Sequence, residues 1–199
     1  MRRGYYAIWL FFSATLCLSL NVNAQDKDSV KEEGAYVSQA RNNQSMTIAK
    51  YLSFSEDFTV FVKVLKESDI FSKLESGEEF TVFAPGNSAF AQMPANVLNQ
   101  LFKPENHLKL KSIAEYHLVG SALNLEEELF KLNGTTNIVA MNNLIIEVTI
   151  GAEDALVIQD ANDYPIDVME KIVLSDGIIY RIDAVLLPQV DVNTVATKM

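Results

Sequence analysis

Thr81-Val82-Phe83-Ala84-Pro85-Gly86-Asn87-Ser88-Ala89-Phe90 decides how this chain folds. Phe80, Val82 and Ala84 alternate with Thr81 and Phe83, the period of two that marks a strand. Pro85 brings no N–H to a ladder and Gly86 tolerates positive φ, so the strand stops there. Asn87 is placed to cap a helix, its side-chain oxygen accepting from a backbone N–H of Ser88, Ala89 or Phe90. The stretch reads as a strand that turns at once into a short helix.

This segment resembles the first signature box of fasciclin-like domains. Ala114-Glu115-Tyr116-His117-Leu118-Val119 is similar to the family's central Tyr-His segment, and Asp176-Gly177-Ile178-Ile179-Tyr180-Arg181-Ile182-Asp183-Ala184-Val185-Leu186-Leu187-Pro188 to its closing box. The three boxes stand in order, and the resemblance runs from about Met46 to Pro188. Gly86 stands where the family usually carries threonine or another polar residue, and Tyr180 where histidine is common. The resemblance implies an α+β fold: a wedge of two short β-sheets, about seven strands, with several helices packed along one side. It also associates the Tyr-His pair with cell adhesion in some members, which makes Tyr116 and His117 the positions for a contact role. The competing reading is an aromatic ring and a hydrogen-bonded histidine that pin a helix–strand joint.

Ahead of the domain, Arg2 and Arg3 precede an apolar run, Ala7–Leu20, and the small-residue segment Val22-Asn23-Ala24. That is the layout of a secretory signal, too short for a spanning helix, with cleavage expected after Ala24. Cys17, the one cysteine of the chain, then leaves with the signal. The mature chain is cysteine-free, which excludes a disulfide, a thiolate nucleophile and a cysteine metal site. Residues 25–45 are polar and read as a flexible leader, 46–188 as one domain, and 189–199 as a tail. The formal charge of −10 falls further once Arg2 and Arg3 are removed. Such a surface repels phosphate backbones, so nucleic acid is not an expected partner.

Within the domain, Thr47–Leu52 opens as a helix. Glu56–Leu65 fits both periods: Phe58, Val60, Val62 and Val64 suit a strand, whereas Phe58, Phe61, Val62 and Leu65 suit a helical face. The Ser55-Glu56-Asp57 start and the family resemblance favour helix. Short helices are expected at Asp69–Leu74, ended by Gly77, and from Pro94-Ala95 to Phe102. Another is expected at Glu105–Glu115, burying either Leu108 with Ile113 or Leu110 with Ile113 and Ala114, and feeding a strand at Tyr116–Val119. Leu125–Leu132 is expected as a helix capped by Asn124. Thr136–Ala140 and Leu144–Ile150 read as a hairpin around Asn142-Asn143, and Leu156–Gln159 as a strand. Ile166–Leu174 and Ile178–Leu187 read as a hairpin around Asp176-Gly177.

Candidate chemistry is sparse. His107 and His117 are the two histidines, no Gly-x-Ser-x-Gly elbow accompanies them, and a Ser88–His117 pair has no motif behind it. Asp160, Asn162, Asp163 and Asp167 form the best acidic cluster, but Tyr164 occupies the third ligand position of a calcium loop and the loop glycine is missing; solvent-facing carboxylates are the simpler reading. Glu126, Glu127 and Glu128 suit a helix start. Asn43 and Asn133 head glycosylation sequons. No phosphate loop or dinucleotide fingerprint is present, and no cofactor is expected. The reading is therefore a non-enzymatic adhesion or binding module outside the cytoplasm, with a protein or glycan surface partner. A carrier of a small apolar ligand or lipid is the alternative, suggested by Phe54, Phe58, Phe61, Phe71 and Phe102; an exported hydrolase comes third.

Overall fold

Strand β1 (Phe80–Pro85) is buried at every residue, because both of its faces are covered. The computed structural model describes residues 45–132, 134–152 and 155–188. The export signal, Asn43, Asn133 and the tail after Pro188 lie outside the described residues. Phe80, Val82 and Ala84 join the larger core, while Phe83 enters a second one with Tyr116 and Tyr180. Thr81 is buried too, and its hydroxyl donates to Ser121 O (2.7 Å) and accepts from Leu123 N (2.8 Å).

The larger core is built by helices that precede and follow β1. These are α1 (Ile48–Phe54), a 3₁₀ turn (Glu56–Phe58), α2 (Thr59–Glu67), α3 (Phe71–Leu74), α4 (Asn87–Ala91), α5 (Ala95–Leu101), a 3₁₀ turn (Pro104–Asn106) and α6 (His107–Tyr116). The two-period stretch is helical: Phe58, Phe61, Val64 and Leu65 are buried and Val60 and Val62 half-buried. Burying one ring such as Phe61 stabilises by about 1.5–3 kcal/mol, more than β-branched propensity opposes. α6 buries Leu110, Ile113 and Ala114, while Leu108 is exposed.

Seven strands form one hydrogen-bonded order, β2-β1-β7-β6-β5-β4-β3. They are β2 (Leu118–Val119), β3 (Thr135–Val139), β4 (Ile145–Ile150), β5 (Leu156–Gln159), β6 (Pro165–Leu174) and β7 (Gly177–Ile182), with α7 (Leu125–Lys131) between β2 and β3. β6 belongs to both halves. It pairs with β5 through residues 165–167 and with β7 through residues 168–174, with a bulge between Val168 and Glu170. The wedge is thus two short sheets joined through one strand. β1 and β7 run parallel, Phe80 opposite Gly177 through Pro85 opposite Ile182.

The Asp176-Gly177 turn does more than reverse the chain. A Cβ on Gly177 would lie 1.9 Å from Phe80 O, and its φ is +143°, so glycine is required. Asp176 Oδ1 accepts from Ile48 N at 2.7 Å, and its carbonyl accepts from Phe80 N at 3.0 Å. One turn thereby fixes the start of α1, the start of β1 and the β6–β7 hairpin.

Several local expectations need correction. Asn87 is not the cap of α4; Gly86 precedes that helix, and Asn87 reaches across to α2. Its Oδ1 accepts from Val60 N (3.1 Å) and Thr59 Oγ1 (3.2 Å), and its Nδ2 donates to Glu56 O (2.8 Å). Tyr116 and His117 are not strand: Tyr116 closes α6 and His117 follows as its C-cap, donating its N–H to Ala114 O. β7 ends at Ile182 because β1 ends opposite it at Pro85. The chain then turns inward toward His117 and Asp160.

Candidate functional site

The three sequence boxes converge on His117. Its carbonyl accepts from Phe83 N of the first box at 2.9 Å. Its ring crosses to the closing box, where Nε2 accepts from Leu186 N at 3.0 Å. Nδ1 lies 2.7 Å from Ile113 O, one turn back on α6. A carbonyl only accepts and an amide N–H only donates, so the proton sits on Nδ1 and the ring is neutral. The ring is 1 % exposed and packs against Phe61, with centroids 5.5 Å apart. Burial holds its pKa down, from 6.5 to about 4, against the smaller opposing effect of the Ile113 carbonyl.

Tyr116 is fully buried beside it, in the core on the other face of the sheet. Its hydroxyl donates to Ile145 O at 2.8 Å, and burial, aided by the Asp160 charge, pushes its pKa up to about 12. The Tyr116–His117 pair therefore has neither ring at the surface. Together the two side chains tie α6 to β4 and to the segment that leaves β7.

Tyr180 occupies the comparable position on the closing box and is also buried. Its hydroxyl accepts from Leu125 N (2.9 Å) at the start of α7 and faces Leu123 O and Glu126 Oε2, each at 3.2 Å. Burial is the main cause that raises its pKa. Tyr180 thus supplies the oxygen expected from Asn124 at this helix start. The Asn124 side chain instead donates to Glu127 Oε1 and accepts from the Lys171 ammonium. Lys171 also reaches Glu126 Oε2 at 2.7 Å. Burial raises the Glu126 pKa, but the Lys171 hydrogen bond, the bond from its own backbone N–H, the Lys171 charge and the Tyr180 hydroxyl together outweigh it and the net direction is down. Gly86, the other departure, leaves room for a side chain: a Cβ there meets Arg181 and Ser88 only at ordinary contact distance.

The remaining candidates fall apart as a reactive centre. Ser88 lies in a surface cleft with Gln92 and Arg181, whereas both nitrogens of His117 are occupied by main chain in the core. His107 pairs at the surface with Asp69, 3.4 Å away. Asp160 is not turned to solvent as expected. It is buried, with Oδ1 accepting from Asn162 N (2.8 Å) and Tyr164 N (3.2 Å), and Oδ2 from Asn162 Nδ2 (3.2 Å) and Leu187 N (3.4 Å). Among the described residues, no group of three His, Cys, Asp or Glu side chains converges on a metal position. Phe58, Phe61 and Phe71 fill the core and Phe102 packs against it under Lys63, while Phe54 is exposed. Asn87, Asp160 and Asp176 went unrecognised as bridging residues, because their partners are distant in sequence or set by tertiary burial.

A helix-flanked, partly parallel seven-stranded sheet in which Thr81, Asn87, Tyr116, His117, Asp176 and Tyr180 bind main chain defines a structural class. The fasciclin domain model matches residues 56–188, and the chain belongs to the fasciclin domain family. It is 34% identical over 161 residues to protein sll1483 of Synechocystis sp., covering 79% of this chain and 82% of that protein. It is 33% identical over 113 residues to the cell surface glycolipoprotein MPB83 of Mycobacterium bovis, covering 57% of this chain and 46% of that protein. Stabilin-2 of Mus musculus is 32% identical over 131 residues, 64% of this chain but only 5% of that much longer protein. The structure of a FAS1 domain pair from the insect cell adhesion molecule fasciclin I matches with a TM-score of 0.53 and 19% identity, covering 63% of this chain and 43% of that one. At that identity the likeness is one of fold.

Proposed function

We propose that this protein is a non-enzymatic adhesion module that works outside the cytoplasm, exported by residues 1–24, carried on the leader 25–45 and folded over 46–188. Its partner is a protein or glycan presented on a surface. The observation that carries this reading is the commitment of signature polar groups to main chain: Asn87 binds it from a half-buried position, and Tyr116, His117, Asp176 and Tyr180 bind it from buried ones. Side chains so engaged build a rigid scaffold rather than a reaction centre, and leave recognition to the surface. Relatives described as a cell surface glycolipoprotein and a cell adhesion molecule support the same class. Among the described residues no helix is long and apolar enough to cross a membrane. In this reading Tyr116 and His117 serve adhesion by positioning the surface above them, not by touching the partner.

The test is binding of the mature chain to immobilised envelope, matrix and glycan preparations. Saturable binding to one of them is expected. Absence of binding to all three removes the proposal.

A further inference from the structure

Lys171 is a charged residue that β6 turns toward the second core. It stands directly opposite Tyr180 of β7, and cross-strand partners share a face of the sheet, so both side chains leave it on the side of that core. The Lys171 ammonium runs past the Tyr180 ring, 5.9 Å from its centroid, to the start of α7. There it meets two side chains at once, Asn124 Oδ1 at 2.5 Å and Glu126 Oε2 at 2.7 Å.

Each partner is itself held. Asn124 Nδ2 donates to Glu127 Oε1 at 2.6 Å, which fixes the carboxamide with its oxygen toward Lys171. Glu126 Oε2 also faces the Tyr180 hydroxyl at 3.2 Å, and its lowered pKa keeps Glu126 a carboxylate. Because Tyr180 serves the start of α7, the Asn124 side chain is not engaged there. The amide carbon lies one C=O bond beyond Oδ1, so Cγ is within about 3.7 Å of Nζ. Reacting atoms at ~3–3.5 Å are in near-attack range, and a general base reaches a proton donor at ~2.6–3.2 Å. An ion pair with Glu126 accounts for the carboxylate, but it gives no role to a carboxamide fixed toward the amine.

We propose that Lys171 and Asn124 join in an intramolecular isopeptide bond, with Glu126 moving the protons. Glu126 takes a proton from the Lys171 ammonium; the freed amine pair attacks Cγ, and the carbonyl pair moves onto Oδ1. The carbonyl pair then returns, and the Cγ–Nδ2 bond breaks with its electrons leaving on nitrogen. Nζ gives up two protons in all: one passes through Glu126 to Nδ2, and the other leaves with the ammonia as ammonium. The step is redox-neutral. The Glu126 side chain is 47 % exposed, so water reaches it to carry the ammonium away. The bond ties β6 to the start of α7 across 47 positions, in a mature chain that has no cysteine for a disulfide. It goes beyond the adhesion reading and does not depend on which surface the protein binds.

Tryptic mapping of the mature chain tests it. Cleavage at Lys111, Lys131 and Arg181 separates residues 112–131, which hold Asn124, from residues 132–181, which hold Lys171. A linked chain gives these two as one branched peptide, uncut at Lys171 and lighter than their sum by one ammonia. Intact mass alone is not enough, because Gln25 at the new N-terminus and Asn133 before Gly134 also shed ammonia by cyclising. The branched peptide is expected in the wild type and absent from Lys171→Arg and Asn124→Ala. Sampled from synthesis onward, Glu126→Gln should form it at least about a hundredfold more slowly. The proposal is overturned by a wild type whose two peptides stay separate, by ammonia lost only from Gln25 or Asn133, or by a folded Glu126→Gln variant that links at the wild-type rate. The wild-type map decides the matter even if a variant does not fold. Failure here leaves the surface-binding assay unaffected.

Discussion

Mild acid should loosen this fold through one side chain. His117 is neutral in the folded protein, where burial lowers its pKa from 6.5 to about 4. The unfolded chain takes up the proton below about pH 6.5. Between that value and about pH 4 the unfolded state binds more protons, so stability rises with pH across the window. The contribution is complete above the unfolded pKa and lost as pH falls toward the folded one; below both there is no further change. The displacement corresponds to about 3 kcal/mol, a large part of the about 5–15 kcal/mol that holds a typical domain. The physical source is concrete: an imidazolium would turn an Nε2 proton against the Leu186 N–H, 3.0 Å away, inside the core. Urea unfolding of wild type and His117→Gln between about pH 4.5 and pH 7.5 measures it. The variant should be the less stable at neutral pH, and the gap should close by about 2.5 kcal/mol by about pH 4.5, the rest of the displacement falling below that pH. Carboxylates such as Glu126 titrate in both proteins and cancel in the difference. A gap constant to within about 0.5 kcal/mol across the range would refute the reasoning.

Other substitutions probe the remaining joints. Gly177→Ala drives a Cβ into Phe80 O at a φ of +143°, and should cost at least about 3 kcal/mol or prevent folding, read by thermal unfolding and soluble yield. Asp176→Ala removes the acceptor of Ile48 N and should cost about 1–2 kcal/mol, with faster amide exchange confined first to the start of α1. Tyr180→Phe leaves Leu125 N without its acceptor and should cost about 1–3 kcal/mol, measured by denaturant midpoint at unchanged slope.

What could be read from the sequence depended on how local the cause was. β1 and its break at Pro85 were legible, since alternation and a proline act within a few residues. The turns at Asn143, with φ of 65°, and at Asp176-Gly177 were legible from turn chemistry. The parallel pairing of β1 with β7 joins strands almost a hundred positions apart, and no local pattern announces it. For the same reason glycine at 177 looked like an ordinary turn residue, although the approach of Phe80 O is what demands it. Asn87 followed the rule for helix caps, but a distant pair of donors, Thr59 and Val60, won its side chain. Asp160 looked like a loop acid, yet burial and four polar contacts around it organise the chain between β5 and β6. The Tyr116–His117 pair was located from its sequence box. Its inward orientation was set by the end of α6, which the expectation of a strand at Tyr116 concealed.

Tyr116→Phe separates a scaffold from a contact most directly, because it deletes a single hydroxyl that bonds Ile145 O in the core. Wild type and variant would be compared for binding to the same immobilised envelope, matrix and glycan surfaces, with unfolding followed in parallel. Unchanged binding by a variant about 1 kcal/mol less stable is the predicted result. Binding lost at unchanged stability would place the hydroxyl in the interface and contradict the account, as would a wild type that binds none of the surfaces.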